Sequence, residues 1–507
     1  MANKIEDLKA KKDGLAVKAE IEYFAQIGWE AIDEDDLQHR LKWLGIFFRK
    51  TTPGKFMVRM RIPHGLVTSE QMLVMANVLE RCGSDGVADI TTRQNLQMRG
   101  IKIEDVPQML SDFHGCGLTS VQSAMDNVRN ITGSPVAGLD PDEIYDTRDL
   151  VLAVQNMITN HGEGNPEFTN LPRKFNIAID GSRDNATHAE INDIAFVPAF
   201  QGEDFGFNIL VGGFFSSRRV AAAVPLNAWA KPDQVVAICR GILEIFRDHG
   251  SRENRQKARL MYLIDDWGIE KFRQMLEDRL GYSLSAAAEQ DLFTSHKQDH
   301  IGVHRQKQAG YSYVGLQIPV GRMYAHEMRE LARLAQFYGS GEMRLTVEQN
   351  LIIAHVPDQN LPSLLAEPIL ERFPASPSFL VRGLVSCTGA QFCPVAIVET
   401  KNRSLELIQQ LESDLSLTHP VRLHWSGCPN SCGQPQVADI GFIGCKARKN
   451  GKVVDGVDIY MGGKVGKDAH LGECVLEKVP CEDLREIVGN LLIQHFGAVP
   501  KKQLASV

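Results

Sequence analysis

Long apolar runs are missing from this chain, and none approaches the roughly eighteen residues that a membrane helix needs. No membrane span is therefore expected. An excess of basic residues is missing as well: 55 Lys plus Arg face 63 Asp plus Glu, a net charge of −8. That balance argues against a general nucleic-acid binder. Cysteine is sparse, ten in 507 residues, too few for a disulfide scaffold. The Met1–Lys9 stretch has no apolar signal core, and its acidic residues do not suit a transit peptide, so reduced thiols and a cytoplasmic location are expected. Compositional bias is missing too, since 43% hydrophobic and 23% charged residues match a globular chain and exclude a disordered or fibrous one. The length calls for two to four domains and suits an enzyme. There is no G-x-G-x-x-G opening a βαβ unit, so no nicotinamide or flavin fingerprint is present.

What the chain does have is an internal repeat. Val58–Gly65 (VRMRIPHG), an amphipathic stretch and Ile90–Leu96 (ITTRQNL) are echoed by Val314–Gly321 (VGLQIPVG), another such stretch and Leu345–Leu351 (LTVEQNL). Further on, Asp193–Val197 resembles Asp439–Ile443, and Val211-Gly212-Gly213 resembles Met461-Gly462-Gly463. Four echoes in one order indicate a duplicated unit with a pseudo-twofold axis. Within each unit the signals are β-α-β. Thr68-Ser69-Glu70-Gln71 reads as a capping box, followed by Met72, Met75, Ala76 and Leu79 at helical spacing and a stop at Gly83. Val87–Thr91 and Met343–Val347 read as strands. The irregular stretch Asp291–Gln308 marks the boundary between halves, and the tail after Val499 is expected to fray. The fold class is α+β with mixed sheets.

Seven of the ten cysteines lie between Cys387 and Cys481, and four of them form two tight pairs. Cys387 and Cys393 have five residues between them; Cys428 and Cys432 follow with three between them. Gly389, Pro394, Gly427, Pro429, Gly433 and Pro435 surround them. A turn-rich backbone lets thiolates converge on a metal–sulfur core while N–H groups point at the sulfurs. Small buried apolar residues would not be paired in this way. Structural zinc prefers shorter spacing in both arms, which leaves a [4Fe–4S] cluster as the preferred occupant.

With RMRIPHG, TTRQN, DNVRN, NLPRKFN, FNILVGG, EQNLIIA and GCPNSCG in this order from about Arg59 to Gly463, the sequence resembles the sirohaem-containing nitrite and sulfite reductases, in particular their ferredoxin-dependent assimilatory nitrite-reducing branch. The resemblance implies that Cys387, Cys393, Cys428 and Cys432 hold a [4Fe–4S] cluster, with Cys432 bridging to the sirohaem iron. It implies catalytic roles for Arg59, Arg129, Lys174 and Asn176. It implies macrocycle contacts for Arg93, Arg173, Gly212, Gly213, Gln349 and Asn430. Sirohaem carries eight carboxylates and nitrite is an anion, so fixed arginines and lysines suit both. The cations lie in the first half and the cysteines in the second, which fits a cofactor held between duplicated halves.

The architecture implied is an N-terminal extension (1–50), a ferredoxin-like half-domain (51–121), a sirohaem and substrate-face domain (122–295), a second ferredoxin-like half-domain (296–372) and a cluster domain (373–507). The activity implied is six-electron reduction of nitrite to ammonium, with electrons from a transiently docked, reduced ferredoxin. The protein is expected to act as a monomer, in the plastid stroma if the chain is a processed form.

Each residue also has a structural reading. Arg59 could be a solvated strand residue, Arg93 could bond local carbonyls, and Arg173-Lys174 could be a loop charge pair. Gly212-Gly213 either admits the macrocycle or marks a turn. Lys446, Arg448, Lys449 and Lys452 form either a ferredoxin-docking patch or a solvated turn around Asn450-Gly451. Asn176 stands where sulfite reductases of the family generally carry a second lysine, which favours nitrite; it otherwise starts a Phe175–Ile179 strand. The alternatives are a ferredoxin-dependent sulfite reductase, a relative acting on a corrinoid precursor, and a non-catalytic iron–sulfur electron carrier.

Overall fold

Each copy of the repeat runs a strand into Ile-Pro, and the chain then does the same thing twice. Pro63–Gly65 and Pro319–Gly321 form single 3₁₀ turns whose middle residues, His64 and Val320, take left-handed φ values of 64° and 49°. Short strands follow, Leu66–Thr68 and Arg322–Met323, and then the helices Ser69–Arg81 and Ala325–Tyr338. The structure is a computed structural model that describes residues 3–294 and 297–501.

The helix at Ser69 starts where the sequence predicts. Thr68 Oγ1 accepts from Gln71 N at 3.2 Å, and Gln71 Oε1 accepts from Thr68 N at 3.1 Å. This capping box satisfies two donors that a helix start leaves open. Met72, Met75, Ala76 and Leu79 form its buried face. That face shares one hydrophobic core with Met328, Leu331 and Ala335 of the second helix, so the two ferredoxin-like units are a single packed body.

Two antiparallel five-stranded sheets flank this core, and they exchange strands. The first runs Ile46–Phe47, Phe56–Arg59, Leu96–Ile101, Val87–Ile90 and then Arg322–Met323, borrowed from the second half. The second runs Gly302–Arg305, Tyr311–Leu316, Leu351–Pro357, Glu342–Leu345 and then Leu66–Thr68, lent by the first. In these registers Arg322 lies opposite Asp89, and Met343 opposite Val67.

The other two five-stranded sheets are mixed, as expected. In the first half, Ile177–Ile179 runs parallel to Ile194–Gln201, which continues antiparallel through Asp204–Val211 and Val224–Ala230. In the second, Leu384–Ser386, Leu423–Ser426 and Ile440–Lys449 run parallel, and Lys452–Met461 and Glu473–Pro480 complete the sheet antiparallel. Each sheet has its own core.

Three local expectations change. Gly302–Arg305 is a strand rather than boundary coil, because it pairs with Tyr311–Leu316 and His304 stacks on Tyr313. Phe175–Ile179 is a strand only from Ile177, because the Asn176 N–H is taken by Asp193 Oδ2 at 2.8 Å. Pro500, the first residue of the tail expected to fray, pairs with Leu415 as Val499 pairs with Ser416, and residues 502–507 of that tail lie outside the described residues. The expected junction between residues 295 and 296 lies outside the described residues.

Candidate active site

Both halves contribute to one cleft with about 1100 Å³ of empty space, part of it open to solvent. From the first half come Arg59, Arg93, Arg129, Lys174 and Asn176; from the second, Gln349, Cys387, Lys401, Asn430 and Cys432. The cationic turn is held by asparagines. Asn95 Nδ2 donates to Met60 O at 2.8 Å, and Asn130 accepts from Ile62 N while donating to Arg93 O. Gln94, within that turn, takes a left-handed φ of 52° and clasps Gly133 through both ends of its amide.

The cations lack acidic partners. Among the described residues, no carboxylate forms an ion pair with Arg59, Arg93, Arg129 or Lys174. Arg59 packs 4.8 Å from the Phe47 ring, Arg93 Nη1 donates to Asn192 Oδ1 at 3.0 Å, and Arg129 Nη1 reaches Asn127 O at 3.3 Å. Burial and neighbouring cations, Arg49 foremost, bring Arg59 down to about 10. Burial does the same to Arg93, against the pull of Asp193. Lys174 is lowered well below an ordinary lysine, by burial first and then by Arg259, with Arg173 and Arg129 adding repulsion. Such a group of desolvated like charges is a site for an anion.

The cysteine arms are tied to each other through the backbone. Cys387 N donates to Trp425 O at 3.0 Å, and Gly427 N donates to Cys387 Sγ at 3.1 Å. Gly427 O in turn accepts from Ile397 N at 2.7 Å and Val398 N at 3.2 Å. Gly389, at φ 67°, turns the first arm so that Cys393 N reaches Gly389 O. Burial and the neighbouring Cys432 push the Cys387 thiol up to about 12; Cys428 is raised by burial, with Cys432 and Cys393 adding to it. Thiols that oppose one another's ionisation need positive charge between them, and a metal–sulfur core supplies it. Among the described residues, no three His, Cys, Asp or Glu side chains are grouped so as to hold a metal ion. A four-iron core asks less of the thiols, since each binds its own iron. The N–H bond to Cys387 Sγ, the Asn430 Nδ2 contact with Cys428 Sγ at 3.5 Å and the unpaired cations fit an iron–sulfur cluster beside a polycarboxylate macrocycle.

Arg59, Arg93, Arg129, Lys174, Asn176, Gln349, Asn430, Cys387 and Cys432 all line the cleft, while Cys393 and Cys428, on the same two arms, are outside the lining. Three expected contacts sit elsewhere. Arg173 is outside the lining and acts on it through charge, repelling both Arg129 and Lys174. Gly212 and Gly213 are outside it too. A Cβ on Gly213 would come within 2.4 Å of Glu190 O and 2.8 Å of Asn192 O, so the glycine lets the chain between two strands pass close to the Glu190–Asn192 turn. Gln349 lines the cleft, but its amide donates to Ile90 O and accepts from Ser386 N, both at 2.8 Å. Its polar atoms hold backbone rather than facing a ligand.

Lys446 and Lys449 of the basic run pair with Asp455, Glu482 and Asp483 at 2.7–3.0 Å, which favours a partly neutralised turn over a docking patch. The sequence reading missed Asp89, Lys401 and Gln434 in the lining. Gln434, two residues past Cys432, was within reach of the cysteine motif. Asp89, inside an apolar strand, and Lys401, at a helix start, carried no signal.

A family model of the nitrite and sulphite reductase 4Fe-4S domain matches residues 124–284 and 380–495, and one of the nitrite/sulfite reductase ferredoxin-like half domain matches 48–115 and 304–369. The chain is 62% identical to a ferredoxin–nitrite reductase of Leptolyngbya laminosa, over 98% of both chains. It is 49% identical to the chloroplastic ferredoxin–nitrite reductase of Spinacia oleracea, over 99% of this chain and 86% of that one. The solved structure of Mycobacterium tuberculosis NirA superposes with a TM-score of 0.88 at 32% identity, covering 96% of this chain and 92% of that one.

Proposed function

The chain belongs to the nitrite and sulphite reductase family, and on that footing we propose how its cleft divides the work of reducing nitrite to ammonium with electrons from ferredoxin. The observation that carries the proposal is the set of unpaired cations sharing one cleft with Cys387 and Cys432. The cofactors of this family, sirohaem and a [4Fe–4S] cluster, supply the relay of single electrons and the iron at which the anion is reduced. Cys387, Cys393, Cys428 and Cys432 would hold the cluster, and Cys432, the exposed thiol that lines the cleft, would also serve the sirohaem. Arg93, with Arg173 reinforcing the field behind it, takes macrocycle carboxylates.

Arg59, Arg129 and Lys174 draw nitrite in and fix it. Of the three, Lys174 is the proton donor, because its ammonium is made more acidic while an arginine keeps its proton far too tightly. Asn176 adds a hydrogen-bonding amide without a further charge, which suits nitrite better than sulfite. The protein works as a monomer in the cytoplasm, or in the stroma for a processed form.

The test is a visible spectrum with iron and labile-sulfide analysis of the purified protein, followed by turnover with reduced ferredoxin. Sirohaem absorption, iron in excess of sulfide and ferredoxin-driven nitrite loss are expected. Zinc in place of iron, or sulfite preferred to nitrite, would overturn the assignment.

A further inference from the structure

Beside the cleft, one buried carboxylate is surrounded by three cations. Asp89, 2% exposed, accepts from Arg99 Nη1 at 2.5 Å and from Arg322 Nε at 2.9 Å, and Lys401 Nζ lies 3.5 Å away. Burial alone would raise the Asp89 carboxyl; Lys401, Arg99 and Arg322 hold it below the usual range. Among the described residues, Asp89 is the only carboxylate paired with these three cations. With Lys401 protonated, the group carries two more positive charges than negative ones in a place nearly closed to water. The repeat does not require this. In the second copy Arg344 occupies the position of Asp89, and Glu342 neutralises it at 2.5 Å. Unmatched buried charge is costly unless something fixed compensates it.

The same cations hold the first cysteine arm. Arg99 Nη2 donates to Thr388 Oγ1 at 3.2 Å, and Arg322 Nη1 donates to Gln391 Oε1 at 2.7 Å. Both guanidinium groups pack on the ring of Phe392, at 4.8 and 5.4 Å from its centre. Thr388 follows Cys387 and Phe392 precedes Cys393, so the arm is gripped next to both thiols. Lys401 lines the cleft with Cys387 and donates to Val320 O.

We propose that Asp89, Arg99, Arg322 and Lys401 form the clasp and counter-charge of the iron–sulfur cluster. The two arginines position the Cys387–Cys393 arm, and the group's net positive charge raises the potential at which the cluster accepts an electron. The inference rests on the reading that these cysteines hold the cluster. A four-iron core with thiolate ligands is an anion that gains one negative charge on reduction, so fixed cations favour its reduced form.

The test is a spectroscopically monitored redox titration of the purified, cofactor-loaded protein. Arg322→Gln and Lys401→Met each remove a cation and should lower the equilibrium constant for cluster reduction by about tenfold, which is 59 mV for one electron. Arg322→Lys should restore most of that loss. Asp89→Asn removes the only anion and should move the potential the other way, whereas a merely structural role would not reverse sign with charge. Should Asp89→Asn fail to load, the Arg322→Gln and Arg322→Lys pair decides alone. Loaded Arg322→Gln and Lys401→Met proteins with wild-type potentials would overturn the proposal while leaving the cysteine assignment standing. A wild-type protein without any iron–sulfur spectrum would remove that assignment and the proposal with it.

Discussion

In the proposed division of work Lys174 combines charge with proton delivery, and two substitutions separate them. Lys174→Arg keeps the cation and loses the acid, so KM for nitrite should stay close to wild type while kcat falls by about 10²-fold or more. Its pH profile should change as well. Burial and the neighbouring Arg259, Arg173 and Arg129 lower Lys174 below the ordinary 10.5, so if it is the proton donor, loss of its proton should set the alkaline fall of kcat/KM in the wild type. In Lys174→Arg that fall should move to higher pH; an unmoved alkaline limb would assign it to another group. Asn176→Lys should raise the ratio of sulfite to nitrite kcat/KM, measured for both anions with one chemically reduced donor. An unchanged ratio would remove Asn176 from specificity. The sequence exposed these residues because motifs with fixed spacing surround them. It hid Asp89 and Lys401 because Asp89, Arg322 and Lys401 belong to distant segments that only the folded chain brings together.

Short elements do much of the positioning. Gln349 joins the strand end at Ile90 to the strand that leads into Cys387, as Gln94 joins its own turn to Gly133. Gln349→Ala leaves a buried carbonyl and a buried N–H unpaired, at about 1–3 kcal/mol for each such group. Melting temperature should fall and iron content per chain should drop. Gln94→Ala should destabilise comparably yet keep its cluster iron, and equal iron loss in both variants would show that Gln349 has no special hold on the cysteine arm. The repeat, the capping box and the QNL strands were legible because each has a local pattern. The strand exchange was not. Leu66–Thr68 and Arg322–Met323 are three and two residues long, and nothing local says to which sheet so short a strand belongs.

For the molecule as a whole, a buried ion pair joins the halves. His300 Nε2 lies 2.9 Å from Asp184 Oδ2, and His300 Nδ1 faces the Tyr313 hydroxyl at 3.2 Å. Burial pushes the imidazole down, but the Asp184 charge and hydrogen bond leave it raised above 6.5. Asp184 is brought from 3.8 to about 2, where burial opposes and His300 dominates the lowering. A raised histidine gives its full stability below 6.5 and loses it as pH rises through the folded value. A lowered carboxyl gives its full stability above 3.8 and loses it as pH falls toward about 2. Removing one partner of a buried pair costs about 3–5 kcal/mol. The difference in melting temperature between wild type and His300→Asn should therefore be widest between pH 3.8 and 6.5 and shrink as pH rises through the raised imidazole value. A difference constant with pH would mean that the imidazole contributes by packing alone.

The exchanged strands also set an order of events at the ribosome. Leu66–Thr68 emerges early, but its partner Glu342–Leu345 is synthesised more than 270 residues later. At 5–20 residues per second that is a wait of roughly 14–55 s. For most of it, the first sheet lacks its Arg322–Met323 edge, and a bare edge is a template for pairing with other chains. Neither ferredoxin-like unit can complete its sheet before the other is made, so the nascent chain passes through a long interval with that edge unpaired.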